Sequence, residues 1–290
     1  MIHEISLERR NLHGHFSRDL PPILAIESGD TVRFATLDAG WHSIPERQHF
    51  DQLDPELDGG HALVGPIEVR GALAGGTLAV RVDVVEVGPW GITFVEDDGM
   101  LWTLDAACGV GTGPAGAIVT LAPFLGVLGM PPAERGVHST SPPRASGGNI
   151  DCKELVAGTT LYLPIPVDGA LFSAGDGHAR QGDGEVSGTA IECPLTRAEL
   201  TLTLRDDLEL HLPIARTPEA WLTFGFDEDL DSAAATATDA MLDLMERELG
   251  VDRRQALALA SVAVDLRVTQ VVNGVKGVHA ALADDAIRMR

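Results

Sequence analysis

Asp176, His178, Asp183 and Glu185 stand inside one short stretch, LFSAGDGHARQGDGE, interleaved with four glycines. Carboxylates and imidazoles bind divalent cations and carry protons near neutral pH. One residue separates Asp176 from His178, and one separates Asp183 from Glu185, so on extended backbone each pair points to one side. Glycine lets the chain fold closely round a ligand. Asp176 and His178 read as metal ligands, with zinc the first choice and calcium the alternative, because the D-x-D-x-D-G spacing of an EF-hand is absent. Glu185 reads as the general acid–base, its carboxyl raised by like-charged neighbours. The competing reading is a solvated acidic turn whose glycines serve the turn alone.

Upstream, GGNIDCKEL offers Asn149 and Asp151, either as groups facing a ligand or as an Asx-type turn. Asp151 and Asp183 are the other carboxylates that could act as base. Cys152 beside Lys153 suggests a Cys–Lys amidase, but strand alternation sends neighbours to opposite faces, so Cys152 is not expected to be a nucleophile. TLDAGWHSIPE places Asp38, Trp41 and His42 after the strand-like TVRF, and Asp38 is a further candidate metal ligand. His61 lies in a second Gly-rich loop, GGHALVGP. Trp41, His61 and Asn149 form the candidate substrate-binding set. The H-x-H pair His13/His15 lacks the following glutamate of a cupin metal site.

Short alternating runs must position these residues. In TLAVRVDV, Leu78, Val80, Val82 and Val84 are expected on one strand face. ELTLTLRDDLELHL repeats the pattern on both sides of Asp206-Asp207, predicting a hairpin of Leu200, Leu202 and Leu204 against Leu208, Leu210 and Leu212. The period then changes. DSAAATATDAMLDLMERELG starts at Asp231-Ser232 and stops at Gly250, and Asp252 with Gln255 spells a capping box for a second helix to about Ala263. PIEVRGAL (66–73) echoes in PIPVDGAL (164–171), which suggests two similar β modules facing each other. The expected fold is mainly β. It is one unit over 1–290, with two sandwich- or barrel-like halves near 1–125 and 145–225 and a helical part at 231–268.

Composition bounds the function. The chain has 43 acidic against 21 basic residues, a formal charge of −22, which repels nucleic acid and anionic membranes. No apolar run approaches the ~18 residues of a membrane helix. The N-terminal MIHEISLERRN lacks a signal-peptide core, and three scattered cysteines give no disulfide framework. A soluble, cytoplasmic protein with reduced thiols is expected.

Taken together, HGHFSRDLPPILAIESGDTV, GPIEVRGALAGGTL, GGNIDCKEL and ALFSAGDGHARQGDGEVSGTAIE resemble the acetamidase/formamidase family, and VDLRVTQVVN extends the likeness toward the C-terminus. The combination of G-G-N-x-D with G-D-x-H-x-x-Q-G-D-G-E is specific. The resemblance implies a mainly β fold, a bound divalent metal, homo-oligomers (dimer or higher), and hydrolysis of small aliphatic amides to carboxylate and ammonia. The chain length suggests the shorter, acetamidase-like branch. The family's polar positions fall on Asp38, Asn149, Asp151, Asp176, His178, Asp183 and Glu185. The Ser-cisSer-Lys and Glu-Lys-Cys amidase designs fit worse, because Lys153 and Lys276 are the only lysines and neither has the required neighbours. The alternative from another class is a non-catalytic β protein that binds a metal or a small polar ligand.

Overall fold

The computed structural model describes residues 1–51 and 53–289. Among them, nine strands form one large sheet, in the spatial order Ile2–Ile5, Asp30–Phe34, Leu195–Arg205, Thr77–Val87, Thr160–Pro164, Ile214–Arg216, Ala220–Asp227, Lys276–Ala283 and Val264–Gln270. A six-stranded sheet carries Gly147–Asn149, Phe124–Gly129, Phe172–His178, Leu63–Val69 and Leu12–His13 in that order, with Leu24–Ile26 parallel to Leu63–Val69. Val80, Val82, Leu161, Leu200 and Leu202 of the large sheet share one continuous core with Val64, Ile67, Leu125, Leu128 and Phe172 of the smaller one. Each such side chain contributes roughly 1.5–3 kcal/mol when fully buried. The fold is mainly β, as expected.

The modules are not the two halves of the sequence. Both sheets draw strands from 1–125 and from 145–225, so these segments interlock. Each copy of the P-I-x-V-x-G-A-L echo carries the chain between sheets. The first runs from Leu63–Val69 to Thr77–Val87, the second from Thr160–Pro164 to Phe172–His178. The copies lie side by side: Val69 N donates to Gly169 O (2.9 Å), Gly169 N to Ala72 O (2.9 Å) and Ile165 N to Gly76 O (2.8 Å). The echo thus marks paired corners.

Two strand expectations need correction. In Thr77–Val87, Val82 pairs Leu200 but Val84 pairs Glu199, so Asp83 is a bulge residue. Two residues opposite one reverse the alternation. Val84 is therefore only half-buried, while Val85 and Val87 are buried. Leu208, Leu210 and Leu212 form no hairpin with Leu195–Arg205. That strand has Asp30–Phe34 on one edge and Thr77–Val87 on the other, so no ladder is left. Leu208 and Leu210 pack instead against the helical layer.

The helical layer follows the sequence signals closely. Helix α1 spans Leu230–Leu249; the Asp229 side chain accepts from Ser232 N, and Gly250 ends it in the left-handed region at φ 66°. Its Ala233, Ala237, Met241 and Met245 are buried in a second core with Val278 and Ala280 of the neighbouring strand. Helix α2 spans Arg253–Ala263 and carries the complete Asp252/Gln255 capping box. The helical part ends at Ala263, not 268: Val264–Gln270 is strand, and it forms a hairpin with Lys276–Ala283. Among the described residues, no helix is long and apolar enough to cross a membrane.

Candidate active site

Three pieces of the smaller sheet build the site. Phe124–Gly129 pairs with Gly147–Asn149 on one side and Phe172–His178 on the other. The last strand brings Asp176 and His178, and the turn after Gly147–Asn149 brings Asp151. The chain then loops through Glu185 and returns at Glu192, which forms a bridge with His178. Asp38 and His42 enter from beyond Asp30–Phe34, and Asn273 from the turn of the C-terminal hairpin. These groups line a pocket of about 170 Å³. Larger surface hollows exist, including one of about 590 Å³ beside α1. They are open grooves, whereas the small pocket collects buried ionisable atoms.

Backbone strain marks the same residues. Asp151 (φ 52°), Asp176 (φ 61°) and Glu185 (φ 45°) all occupy the left-handed region. Each costs of order 1–3 kcal/mol, and such residues cluster at functional sites. Gly126 opens the space between Asp176 and Asp151. A Cβ there would stand 2.3 Å from Asp176 Oδ2 and 2.7 Å from Asp151 Oδ1.

At the centre, His178 Nε2 is 3.3 Å from Asp176 Oδ1 and 3.2 Å from Glu192 Oε2, with neither oxygen in hydrogen-bonding geometry. Phe124 packs edge-on to the imidazole, with ring centroids 4.9 Å apart. Asp151 Oδ1 and Glu185 Oε2 are also buried without partners. The donor atoms of Asp151, His178 and Glu185 lie within 4.8 Å of one another, as do those of Asp176, His178 and Glu192, so each group could hold a metal ion. Buried polar groups ordinarily have partners, so this convergence of bare acceptors calls for a proton or a cation.

The electrostatics agree. Burial pushes Glu185 up to about 7, with the Asp176 charge adding to it. Burial, again with Asp176, pushes Glu192 up to about 8. Burial raises Asp151 well above the usual carboxylate range, and the Glu185 charge reinforces this. Asp176 goes the other way: burial works to raise it, but His178 and His61 hold it below the ordinary range. Burial works against a proton on His178, yet Glu192 and Asp176 raise it well above a normal imidazole. Four carboxylates crowded round one histidine repel each other strongly in low dielectric. One or two divalent ions would replace the protons that otherwise neutralise them. The oxygen and nitrogen donors, the bare acceptors and the space opened by Gly126 all fit such an ion.

Of the residues singled out in the sequence, Asp38, His61, Asn149, Asp151, Asp176, His178 and Glu185 line the pocket. Asp38 arrives engaged: His42 N donates to its Oδ1 at 2.6 Å, and the His42 ring lies 3.1 Å away. His61 is hydrogen-bonded to Thr140 Oγ1 at 2.7 Å. Two candidates lie outside the pocket lining. Asp183 faces solvent, ion-paired with Lys153 at 2.8 Å, because the turn from Gly182 to Gly188 sends it and Glu185 opposite ways. Trp41 is buried behind the loop, with Nε1 donating to Gly60 O. Cys152 Sγ contacts Glu154 and is not part of the pocket wall. Glu192, Gly126 and Asn273 were not singled out as site residues, whereas His42, named with Asp38, lines the pocket as that residue's hydrogen-bond partner. Glu192 closes a quoted motif, but nothing local marks it; only its pairing with His178 does.

The molecule is thus a mainly β fold with late helices and a buried carboxylate–histidine pocket. The chain belongs to the Acetamidase/Formamidase family, whose sequence model matches residues 3–110 and 130–283. The crystal structure of an acetamidase from Bacillus halodurans superposes with a TM-score of 0.86 at 29% identity, covering 97% of each chain. A predicted acetamidase/formamidase of Thermoanaerobacter tengcongensis gives 0.86 at 26% identity over 98% of this chain and 97% of its own. A formamidase candidate of Schizosaccharomyces pombe is 27% identical over 77% of this chain and 74% of its length. The protein is an amidase, a hydrolase of amide C–N bonds.

Proposed function

We propose that this amidase cleaves short aliphatic amides of the acetamide and formamide type to a carboxylate and ammonia, using a divalent metal, zinc in the first instance. One observation carries the reading: unpartnered oxygens of Asp151, Asp176, Glu185 and Glu192 gather round His178 in a pocket of about 170 Å³. That is well below the ~300–1,000 Å³ of drug-sized ligand sites, which favours a substrate of few heavy atoms.

Asp176, His178 and Glu192, with Asp151, would hold the metal. Bound there, it would polarise the amide carbonyl and make a water acidic enough to attack near neutral pH. The remaining work falls to the chain. Glu185, at the pocket wall with its carboxyl raised by burial, would accept the proton of the attacking water and return it to the departing nitrogen. Asn149 directs an unpartnered side-chain atom into the pocket, where it can orient the substrate amide. Asp38, fixed by His42, is a further metal ligand or a wall for the substrate. Asn273 Nδ2 holds Asp151 Oδ2 at 2.8 Å, leaving Oδ1 to face the centre.

The test is ammonia release from acetamide and formamide before and after chelation, followed by return of zinc, calcium or manganese. Metal-restored turnover supports the reading. Turnover that chelation never touches removes the metal, and no turnover on any short amide leaves a binding protein.

A further inference from the structure

Beyond the pocket, a second cluster joins the turn after Asp151 to the C-terminal hairpin. Cys152 Sγ lies 3.2 Å from Glu154 Oε2, and His279 Nε2 lies 3.5 Å from the same oxygen. Cys152 and His279 are fully buried, and His279 Nε2 has no hydrogen-bond partner. The other ring nitrogen, Nδ1, is 2.8 Å from Thr269 Oγ1. A Thr hydroxyl accepting from Nδ1–H leaves the Nε2 lone pair facing the sulfur and carboxylate, the outer-shell arrangement of a metal-ligating histidine. Arg267 binds the opposite carboxylate oxygen at 3.0 Å and turns Oε2 inward.

We propose that Cys152, Glu154 and His279 form a second divalent-cation site, selective for zinc, which clamps the catalytic turn to the C-terminal hairpin. The donor set is one thiolate, one imidazole and one carboxylate, a combination that suits zinc rather than calcium. The spacing fits as well. Tetrahedral bonds of ~2.0–2.3 Å place neighbouring donors roughly 3.3–3.7 Å apart, close to the two separations here, and all three ligating atoms lie within 4.8 Å of one another. Binding forms a Zn–S bond and releases the Cys152 thiol proton to solvent. Glu154 keeps partial exposure, giving the ion a path and a water for its fourth position.

The clamp has a mechanical consequence. Gln270, next to Thr269, accepts from Val272 N and Asn273 N and donates to Val275 O, so the hairpin turn that carries Asn273 is braced from the same place. The proposal does not depend on the amidase reading.

Cobalt is the probe, because thiolate–cobalt bonds give an intense near-ultraviolet charge-transfer band. The unmodified protein, His178→Gln (to disable the pocket) and Cys152→Ala are stripped and titrated with Co²⁺, then with Zn²⁺. The band should appear in the first two, be displaced by zinc, and be lost in Cys152→Ala together with one equivalent of bound zinc. His279→Gln, checked for folding by circular dichroism, should weaken zinc binding at this site by at least about a hundredfold. No thiolate band in the unmodified protein, or a band that survives in Cys152→Ala, overturns the proposal.

Discussion

Asn273 and Asp151, 122 positions apart in the chain, meet through a 2.8 Å hydrogen bond from Asn273 Nδ2 to Asp151 Oδ2. The bond ties the C-terminal hairpin to the floor of the pocket and fixes which oxygen of Asp151 stays bare. Leaving the buried Asp151 oxygen without its hydrogen-bond donor costs on the order of 1–3 kcal/mol. Asn273→Ala should therefore lower kcat by about ten- to a hundredfold with the fold intact. Asn273→Asp should be worse, since it adds another carboxylate to an acidic cluster. Equal kcat in both variants and the parent protein would remove Asn273 from the site.

Gly126 should tolerate no side chain. Its backbone suits alanine, because it is not one of the positive-φ glycines. The obstacle is the contact of 2.3 Å a Cβ would make with Asp176 Oδ2. Gly126→Ala should fold but lose bound metal and at least about a hundredfold in activity, measured by elemental analysis and ammonia release.

Removing Asp176 or His178 should empty the pocket of its metal. Asp176→Ala and His178→Ala, compared with the parent protein by elemental analysis, are each expected to lose at least one equivalent. Unchanged stoichiometry in both would refute their assignment as ligands.

Glu185→Gln keeps the shape of the side chain and removes its ability to take a proton. Turnover should fall roughly a hundredfold or more while metal content stays near that of the parent protein. If the metal leaves as well, Glu185 is a ligand rather than the base. Asp183→Asn, at a solvent-facing ion pair, should change kcat by no more than about threefold.

Metal removal should make stability fall as pH rises. Glu185 and Glu192 have ordinary values of 4.5, raised in the folded chain to about 7 and about 8. Groups raised on folding contribute stability that is full below the unfolded value and lost as pH climbs through the folded one. Chelated protein should therefore lose several degrees of melting temperature between about pH 5 and pH 8. Metal-replete protein, with the same carboxylates neutralised by the ion, should stay nearly level. Parallel melting curves for both forms across that window would contradict this account.

Local chemistry made part of the molecule legible in the sequence. Helix starts and stops depend on neighbours a few positions away, so the Gly250 stop and the Asp252/Gln255 box were readable directly, and the start of α1 missed only by moving its cap to Asp229. Alternation likewise announced strands, and the Gly-rich motif announced Asp176, His178 and Glu185 as a group. What the sequence could not supply was pairing and handedness. A bulge at Asp83 reversed one strand's faces, and a strand with both edges occupied refused the hairpin expected at Leu208–Leu212. In the pocket, spacing of two put Asp183 and Glu185 together, but a turn separated them. Glu192 and Asn273 arrived through sheet pairing and a hairpin turn instead. The pocket's carboxylates and histidine come from a strand and from loops that meet only after the sheets form, with left-handed backbone at Asp151, Asp176 and Glu185. Periodicity is local information. The direction of a carboxylate in a buried site is set by contacts made across the whole chain.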